Sequence, residues 1–297
     1  MMQYETPPVL VLGGSGQVGT ALSRLEWPPH VRLMAPPRQV LDIGDKAAVD
    51  AFIGDRKWSC IINCAAYTAV DAAETDAASA WQTNARGPEL LATAAARAAI
   101  PLIHLSTDFV FDGTLRRAYR PSDPPCPINA YGRSKAAGED AIRRAAPRHA
   151  ILRTSWVVSP FGKNFVRTIL DKVRQNQQLR VVDDQFGRPT SALDLAAAIR
   201  AIALHLLQDR RYAGDTLHFA NAGRVSWHEL AFAIMQAAHR RGLPKVQVEP
   251  VATEQYPTAA RRPRNSELCT DGIGALGITP RPWQAALEEI MDALIVR

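Results

Sequence analysis

The first half of the chain alternates short apolar runs with segments of helical periodicity. Four runs of strand length lie at residues 9–12, 31–34, 61–65 and 101–106. Between them, apolar residues recur every three or four positions at 21–25, 47–52 and 72–98, and we expect the last to break near Gly87 and Pro88. This alternation predicts an α/β fold, with a parallel sheet covered by helices on both faces.

The second half continues the pattern less regularly. It predicts helices at 130–146, 164–173 and 191–207, and extended segments at 150–154, 180–183 and 216–220. From Trp227 onward, including a loop at 256–266, the chain is typical of a smaller helical lobe. We therefore predict a doubly wound sheet with a C-terminal lobe beside it.

Composition places the chain among folded, non-exported proteins. It has 297 residues, 47% hydrophobic and 22% charged, which is ordinary globular usage. No apolar run reaches the roughly 18 to 20 residues of a membrane span, and residues 1–8 do not resemble a signal peptide. The cysteines, Cys60, Cys64, Cys126 and Cys269, are too scattered for a disulfide framework. We expect a cytoplasmic protein with reduced thiols.

The net charge of +6 admits an anionic partner. Lysine and arginine are spread along the chain, without the aromatic interleaving of a nucleic-acid platform or a basic tail. A pocket for a small phosphorylated molecule is favoured over nucleic acid or a membrane surface.

A glycine turn joins the first strand to the first predicted helix. Gly13 permits the turn, Gly16 lets the backbone approach a pyrophosphate, and Gly19 lets the helix pack on the strand. The spacing departs from the strict G-x-G-x-x-G fingerprint, but its place in the chain predicts a Rossmann-type dinucleotide site. Its residues are Gly13, Gly14, Ser15, Gly16, Gln17, Val18 and Gly19.

A second motif suits the reduction of a carbonyl group. Tyr131 and Lys135 share one face of a predicted helix, and Thr107 follows the fourth predicted strand. A neighbouring ammonium favours the phenolate form, so we expect Lys135 to lower the pKa of Tyr131. A hydroxyl from Thr107 or Ser106 can hydrogen-bond the carbonyl. His104, inside the same strand, is interpreted as a core residue.

The combination of these motifs resembles the dTDP-4-dehydrorhamnose reductases, a family of extended short-chain dehydrogenases. The similar stretches span nearly the whole chain and are 13–19, 41–43, 63–71, 106–113, 131–135, 153–156, 184–190 and 262–266. The resemblance implies reduction of the 4-keto group of dTDP-6-deoxy-L-lyxo-4-hexulose to dTDP-L-rhamnose. It also implies a dinucleotide domain at 1–155 and 191–222, and a discontinuous sugar-nucleotide lobe at 156–190 and 223–297.

Site residues carry over by motif position. The resemblance makes Tyr131 the proton donor, Lys135 its electrostatic partner and Thr107 the group that orients the carbonyl. It implies substrate contacts for a further set, Thr107, Asp108, Trp156, Arg262 and Asn265. Beyond the glycine turn, the expected cofactor contacts are Arg38, Asp42, Ile43, Ala65, Ala66, Tyr67, Tyr131 and Lys135.

Cofactor choice depends on the end of the second strand. No acid stands there to hold a ribose 2′-hydroxyl, whereas Arg38 offers a guanidinium to a 2′-phosphate. NADPH is therefore favoured, with NADH as the alternative. For Asp42, which resembles an adenine-contacting residue of the family, a helix N-cap is the other interpretation.

A metal-linked dimer is not expected. Some members of the family dimerise around Mg²⁺ with acids at positions that are Ala21 and Leu193 here, although Asp194 is one place further on. We predict a monomer or homodimer without a metal. Two other functions stay open: another nucleotide-sugar reductase or 4-epimerase of this fold, and a non-catalytic regulatory subunit.

Overall fold

The computed structural model describes residues 6–146, 148–208 and 214–295. Some residues of the predicted N-terminal segment and of the two predicted domains lie outside the described residues. They are residues 1–5, 147, 209–213 and 296–297. The strands are β1 Val9–Leu12, β2 Leu33–Met34, β3 Cys60–Asn63, β4 Leu102–Thr107, β5 His149–Thr154, β6 Val157–Val158, β7 Leu179–Val182, β8 Phe186–Gly187, β9 Thr190–Ser191, β10 Asp215–His218, β11 Val225–Ser226 and β12 Val248–Val251. The helices are α1 Gln17–Arg24, α2 Lys46–Gly54, α3 Ala77–Trp81, α4 Gly87–Arg97, α5 Ala130–Ala145, α6 Phe165–Arg174, α7 Ala192–Gln208, α8 Trp227–Arg240 and α9 Trp283–Leu294.

The central sheet has six parallel strands in the order β2-β1-β3-β4-β5-β10. Strand order reverses between β1 and β3, and in open sheets of this kind ligands bind outside the carboxyl ends of the strands at such a point. Both faces carry hydrophobic clusters: α1 and α7 pack on one, and α2 and α4 on the other. The predicted doubly wound fold is confirmed.

The second strand is shorter than predicted. The Val31 N–H donates to the Pro28 carbonyl, so residues 28–31 close a turn before the chain can join the sheet. Only Leu33 and Met34 pair with β1. The strand was predicted at 31–34 from its apolar character. The turn that follows Pro28 keeps residues 31 and 32 out of the strand.

The predicted break at Gly87 and Pro88 is wrong. The chain stays helical from Ala77 to Arg97, through a π-helical turn over Gln82–Arg86. In that turn the Gly87 N–H donates to the Gln82 carbonyl, five residues back. Proline lacks an N–H, and the wider turn precedes it, so the helix continues through Pro88.

A separate hydrophobic cluster lies between α6, α8 and α9 and includes β7. The chain from Trp227 onward was expected to be helical, but it also holds β12, which pairs with β7 in a small parallel sheet. We propose that this cluster marks the smaller lobe, because its residues come from the two segments predicted for it. Within the described residues, none of the helices combines the length and the apolar character that crossing a bilayer requires.

Candidate active site

One cavity of about 930 Å³ runs along the carboxyl ends of β1, β3, β4 and β5. The seven residues of the glycine turn lie along its wall, and so do Thr107, Tyr131 and Lys135. Asp108, Trp156 and Arg262 line it as well. The structure thus brings together predicted site residues that are as far apart in the sequence as Gly13 and Arg262, which are 249 positions apart.

The glycine turn is shaped by the lack of side chains. Gly13 has φ of 77°, and a Cβ there would lie 2.6 Å from the Ala65 nitrogen. A Cβ on Gly19 would lie 2.2 Å from the Gly13 carbonyl oxygen, so only glycine lets α1 approach β1 this closely. Gly16 is the N-cap of α1, whose first turn carries no acidic side chain. The N-terminus of α1 therefore offers backbone N–H groups and the positive end of the helix dipole to an anion.

The far end of the cavity is lined by Arg38, Asp42, Ile43, Ala65 and Ala66. The Arg38 side chain is 76% exposed and forms an ion pair with Asp42 at 3.0 Å. Asp42 is not the N-cap of α2, since Asp45 caps that helix. Instead the Asp42 carboxylate accepts the Gly44 N–H and the Arg38 guanidinium, and these bonds hold its pKa below the ordinary value.

Tyr67 is the predicted cofactor residue that the cavity leaves out. Its backbone N–H donates to Asn84, and burial together with the nearby Asp76 raises the pKa of its phenol. The segment that includes Tyr67 was predicted to flank the cofactor, but in the structure Ala65, Ala66 and Thr68 supply that wall.

Tyr131 lies at the start of α5 and is buried. Asn129 caps this helix, and the Phe109 ring meets the Tyr131 ring edge-on with centroids 5.7 Å apart. Burial raises the pKa of Tyr131 to about 12, although a hydrogen bond with Thr107 opposes the rise. The phenol therefore stays protonated at neutral pH. The expected lowering of its pKa by Lys135 does not occur, because burial dominates and the nearby Asp108 charge adds to the rise.

Lys135 lies one turn further along α5 and points into the protein interior. Its Nζ donates to the Leu105 carbonyl at 2.7 Å and lies 3.2 Å from His104 Nε2. Burial lowers the pKa of Lys135 to about 8, and the negative charge of Glu139 acts against that shift. His104 is buried as predicted, but it contacts the lysine of the site.

Asp108 is a buried carboxyl group on the cavity wall. Its Oδ1 accepts the Thr107 hydroxyl at 3.0 Å, and Oδ2 accepts no hydrogen bond of standard geometry from the described residues. Burial raises the pKa of Asp108 to about 6, against the opposing effects of Ser266 and Thr107. A buried Oδ2 without a hydrogen bond suits a ligand whose hydroxyl group donates one to it.

A pair of stacked indoles closes the opposite wall. Trp156 and Trp227 are nearly parallel, with centroids 3.5 Å apart, and the Phe165 ring lies 4.6 Å from Trp227. The Trp156 backbone has φ of 48°, a strained conformation for a bulky residue. A Cβ on Gly187 would come within 2.5 Å of the Trp156 ring. The indole is thus held by Trp227 and by the close approach of Gly187, while part of it lines the cavity.

The two predicted substrate residues of the C-terminal loop have different positions. Arg262 lines the cavity and binds Asp71 through two hydrogen bonds of 2.7 and 3.1 Å. Asn265 lies outside the cavity wall, where its amide donates to the Leu115 and Arg117 carbonyls and ties two loops together. The geometry gives Asn265 a structural position, in contrast to the predicted substrate contact.

Sequence reasoning missed several lining residues, among them Trp227 and Lys163. Trp227 begins α8 directly after its Ser226 cap, so the sequence indicated only the start of a helical segment there. Lys163 follows Gly162 in the loop before α6, and that glycine was the one local sign of a special loop. The partner of Trp227, Trp156, is 71 positions away, so no local pattern links the two.

Comparisons with known proteins agree with this geometry. A family described as "RmlD substrate binding domain" matches residues 7–296. The chain is 38% identical to a dTDP-4-dehydrorhamnose reductase of Sinorhizobium fredii over 288 residues, covering 96% of this chain and 97% of that protein. It is 39% identical to one of Aggregatibacter actinomycetemcomitans over 286 residues, covering 95% and 97%.

Solved structures show the same likeness. A dTDP-4-dehydrorhamnose reductase of Bacillus anthracis, determined in complex with NADP, superposes with a TM-score of 0.88 at 34% identity. The match covers 96% of this chain and 98% of that one. The chain belongs to the dTDP-4-dehydrorhamnose reductase family.

Proposed function

We propose that the protein reduces the 4-keto group of dTDP-6-deoxy-L-lyxo-4-hexulose to give dTDP-L-rhamnose, with NADPH as the reductant. The observation that carries the proposal is the single cavity, in which a glycine turn fit for a pyrophosphate continues into Thr107, Asp108, Tyr131 and Lys135. Membership of the family supports the substrate.

The residues of the turn fit a dinucleotide. Side chains at Gly13 and Gly19 would fill the space between β1, α1 and Ala65, so the turn keeps its backbone bare where a pyrophosphate would approach. Arg38 would hold a 2′-phosphate, for which it must leave or share Asp42. When bound, NADPH supplies the hydride.

Tyr131 donates the proton in this mechanism. Because burial keeps the pKa of its phenol near 12, the group is protonated at working pH and yields its proton only to a strong base. The oxygen of a carbonyl under reduction becomes such a base as negative charge develops on it. In the structure the Thr107 hydroxyl donates to Asp108; in the complex it would turn to the carbonyl oxygen and orient it beside the phenol.

The opposite half of the cavity holds the sugar nucleotide. The free Oδ2 of Asp108 accepts a sugar hydroxyl, and the Trp156 face packs against the apolar edge of the deoxy sugar. Arg262 is held by Asp71 at the cavity edge, where its guanidinium can share charge with a diphosphate. Asn265 has no direct role in this arrangement.

The proposal places the reaction in the cytoplasm, with no nucleic acid or membrane as a partner. None of the four cysteines forms a disulfide within the described residues, which suits a reducing compartment.

We propose further that the enzyme is a monomer or homodimer without a shared Mg²⁺. Asp194, the acid nearest the family's metal position, already binds the Arg281 guanidinium, which also binds Glu289. A chelator should change neither the mass in solution nor the turnover. A dimer that dissociates in EDTA with loss of activity would contradict this part of the proposal.

The test of function is turnover with a defined product. Purified protein is incubated with the 4-keto sugar nucleotide and NADPH, loss of reduced-nicotinamide absorbance is followed, and the product is identified as dTDP-L-rhamnose. Conversion without added reductant would indicate a 4-epimerase. Preference for the other C5 epimer of the substrate would indicate a different sugar-nucleotide reductase, and cofactor binding without turnover a regulatory subunit.

A further inference from the structure

Lys135 ends a chain of buried side chains that comes from three elements. Its Nζ lies 3.2 Å from Nε2 of His104, which is fully buried in β4. On the other side of the ring, His104 Nδ1 lies 3.1 Å from the side-chain amide nitrogen of Asn63, at the end of β3. The mechanism above uses neither Asn63 nor His104, yet both are coupled to its lysine.

The backbone fixes which end of the Asn63 amide faces the histidine. Asn63 Oδ1 accepts the Ala65 N–H at 3.1 Å, so the NH₂ group is the end that faces His104. An amide NH₂ only donates, and His104 Nδ1 must therefore accept. Burial and the nearby Lys135 charge hold the pKa of His104 well below its usual value, so the ring is neutral and carries its one proton on Nε2.

The Nε2–H group then faces the lysine nitrogen. An ammonium has no lone pair and would oppose this donor with another donor, whereas a neutral amine accepts it and still donates to the Leu105 carbonyl. We propose that His104, locked in this tautomer by Asn63, is a positioning residue that favours the neutral amine of Lys135. The inference rests on the proposed function, which places Lys135 beside Tyr131 in the catalytic cavity.

The other groups around Lys135 act in both directions. Glu139, one turn along α5, favours the ammonium, but its carboxylate is already bound by Arg153 and Arg143. The Cys64 thiol faces the lysine from the end of β3, and burial raises its pKa to about 12, so it is uncharged near neutral pH. Tyr131 is also uncharged there. Burial holds the pKa of Lys135 near 8, and the Nε2–H group of His104 acts in the same direction.

The consequence is a lysine that changes charge within the working range of the enzyme. If the ammonium form supports catalysis, activity should decline as Lys135 loses its proton, and the pH of that decline should depend on His104 and Asn63. These two residues touch the reacting groups only through Lys135, so they tune the reaction and do not carry it.

The charge of Lys135 can be measured without any substrate. The sequence has six lysines, Lys46, Lys57, Lys135, Lys163, Lys172 and Lys245, so ¹³C labelling at lysine Cε gives few signals. A Lys135→Met variant identifies the signal of interest. We expect a titration midpoint near 8 in the unaltered protein.

Two variants distinguish the effect of the His104 tautomer from the effect of the His104 ring itself. His104→Asn keeps an acceptor for Asn63 but removes the donor to Lys135, and Asn63→Ala keeps the ring but frees its tautomer. Both should raise the midpoint by at least about one unit, a roughly tenfold gain in proton affinity. Cys64→Ala, which removes another neighbour of Lys135, should leave the midpoint unchanged. The basic limb of the kcat/KM profile should move with the midpoint.

Three results would overturn the inference. A titration midpoint of about 10.4 in the unaltered protein, the value of an ordinary lysine, would mean that the protein does not favour the neutral amine of Lys135. Equal midpoints in the unaltered protein and both variants would remove His104 from the account. A shift in His104→Asn alone would refute the tautomer lock. Because the titration needs no sugar nucleotide, these results are independent of whether the proposed reduction occurs.

Discussion

The two halves of the cavity are built by different means. The dinucleotide half is made of backbone: a turn in which a Cβ at Gly19 would lie 2.2 Å from a carbonyl oxygen, at the start of a helix. The sugar half is made of side chains from distant segments, among them Asp108, Trp156 and Arg262. A site built from backbone depends on positions that carry no side chain, such as Gly19. A site built from side chains depends on packing between segments that are distant in the sequence.

This difference predicts how the halves respond to change. Substitution in the side-chain half should alter catalysis or sugar binding while leaving the dinucleotide bound. Substitution at the dinucleotide end should alter cofactor affinity alone. Each experiment below measures both properties, so that it either separates the two halves or shows that they are coupled.

The largest effect is expected from Tyr131→Phe. The ring and its edge-on contact with Phe109 remain, but the proton donor is lost. We expect kcat to fall by at least about a hundredfold with little change in NADPH affinity. Tyr256→Phe, at an exposed tyrosine, is the control and should keep normal turnover. Near-normal kcat in Tyr131→Phe would rule out Tyr131 as the proton donor.

Arg38→Ala tests the opposite end of the cavity. A guanidinium–phosphate hydrogen bond is worth roughly 1.5 to 3 kcal/mol, so NADPH binding should weaken by about ten- to a hundredfold, with NADH nearly unaffected. Arg56→Ala removes another partly exposed arginine outside the cavity wall and should change neither affinity. Equal losses for both cofactors would show that Arg38 does not read the 2′-phosphate.

Gly187→Ala sharpens the comparison within the sugar half. The new methyl group would approach the Trp156 ring to 2.5 Å, and the indole, stacked on Trp227, must move. We expect KM for the sugar nucleotide to rise by about tenfold, or 1.4 kcal/mol, at unchanged NADPH affinity. Gly54→Ala, where a Cβ meets nothing within 4 Å, is the matched control. An unchanged KM would separate Trp156 from substrate binding.

Asp108→Asn tests the buried carboxyl group of the sugar half through its effect on stability. The folded-state pKa of Asp108, about 6, exceeds its ordinary value, so the folded protein binds more protons between about pH 4 and 6 and loses stability as pH rises through that window. Asparagine cannot ionise. We expect the free energy of unfolding to rise by about 1 to 2 kcal/mol at pH 8, with no gain at pH 4.

Asp112→Asn provides a control of opposite sign. Burial acts to raise the pKa of Asp112, but hydrogen bonds from Tyr119 and Thr114 outweigh it and hold that pKa below the ordinary value. Its carboxylate therefore stabilises the fold at neutral pH, and the amide should be destabilising at pH 8. A loss of stability in both variants would mean that ionised Asp108 carries no burial penalty.

The sequence predicted the backbone half more completely than the side-chain half. A strand, a glycine turn and a helix are local, and the turn at 13–19 required only chain order to interpret. Tyr131 and Lys135 were found because one helix turn separates them. Trp227 was missed because its contact with Trp156 arises from packing between α8 and the loop after β5. The lowered pKa of Lys135 was missed for the same reason, since burial is a tertiary property.

Motif similarity also has limits that the structure makes visible. Arg262 and Asn265 are three positions apart in one matching stretch, yet only Arg262 reaches the cavity. Asn265 lies past a bend at Arg264, in a bridge with Phe186, and its amide faces the Leu115 and Arg117 carbonyls. The helical break expected at Pro88 failed because the preceding turn widened, which local propensity does not predict.

The central claim is that hydride reaches C4 of the sugar at a site where Tyr131 supplies the proton. The direct measurement is turnover with NADPH deuterated at the transferable position, followed by NMR of the product. We predict dTDP-L-rhamnose with deuterium at C4 and nowhere else. A product without deuterium, with deuterium at another carbon, or with the opposite configuration at C4 would contradict the account.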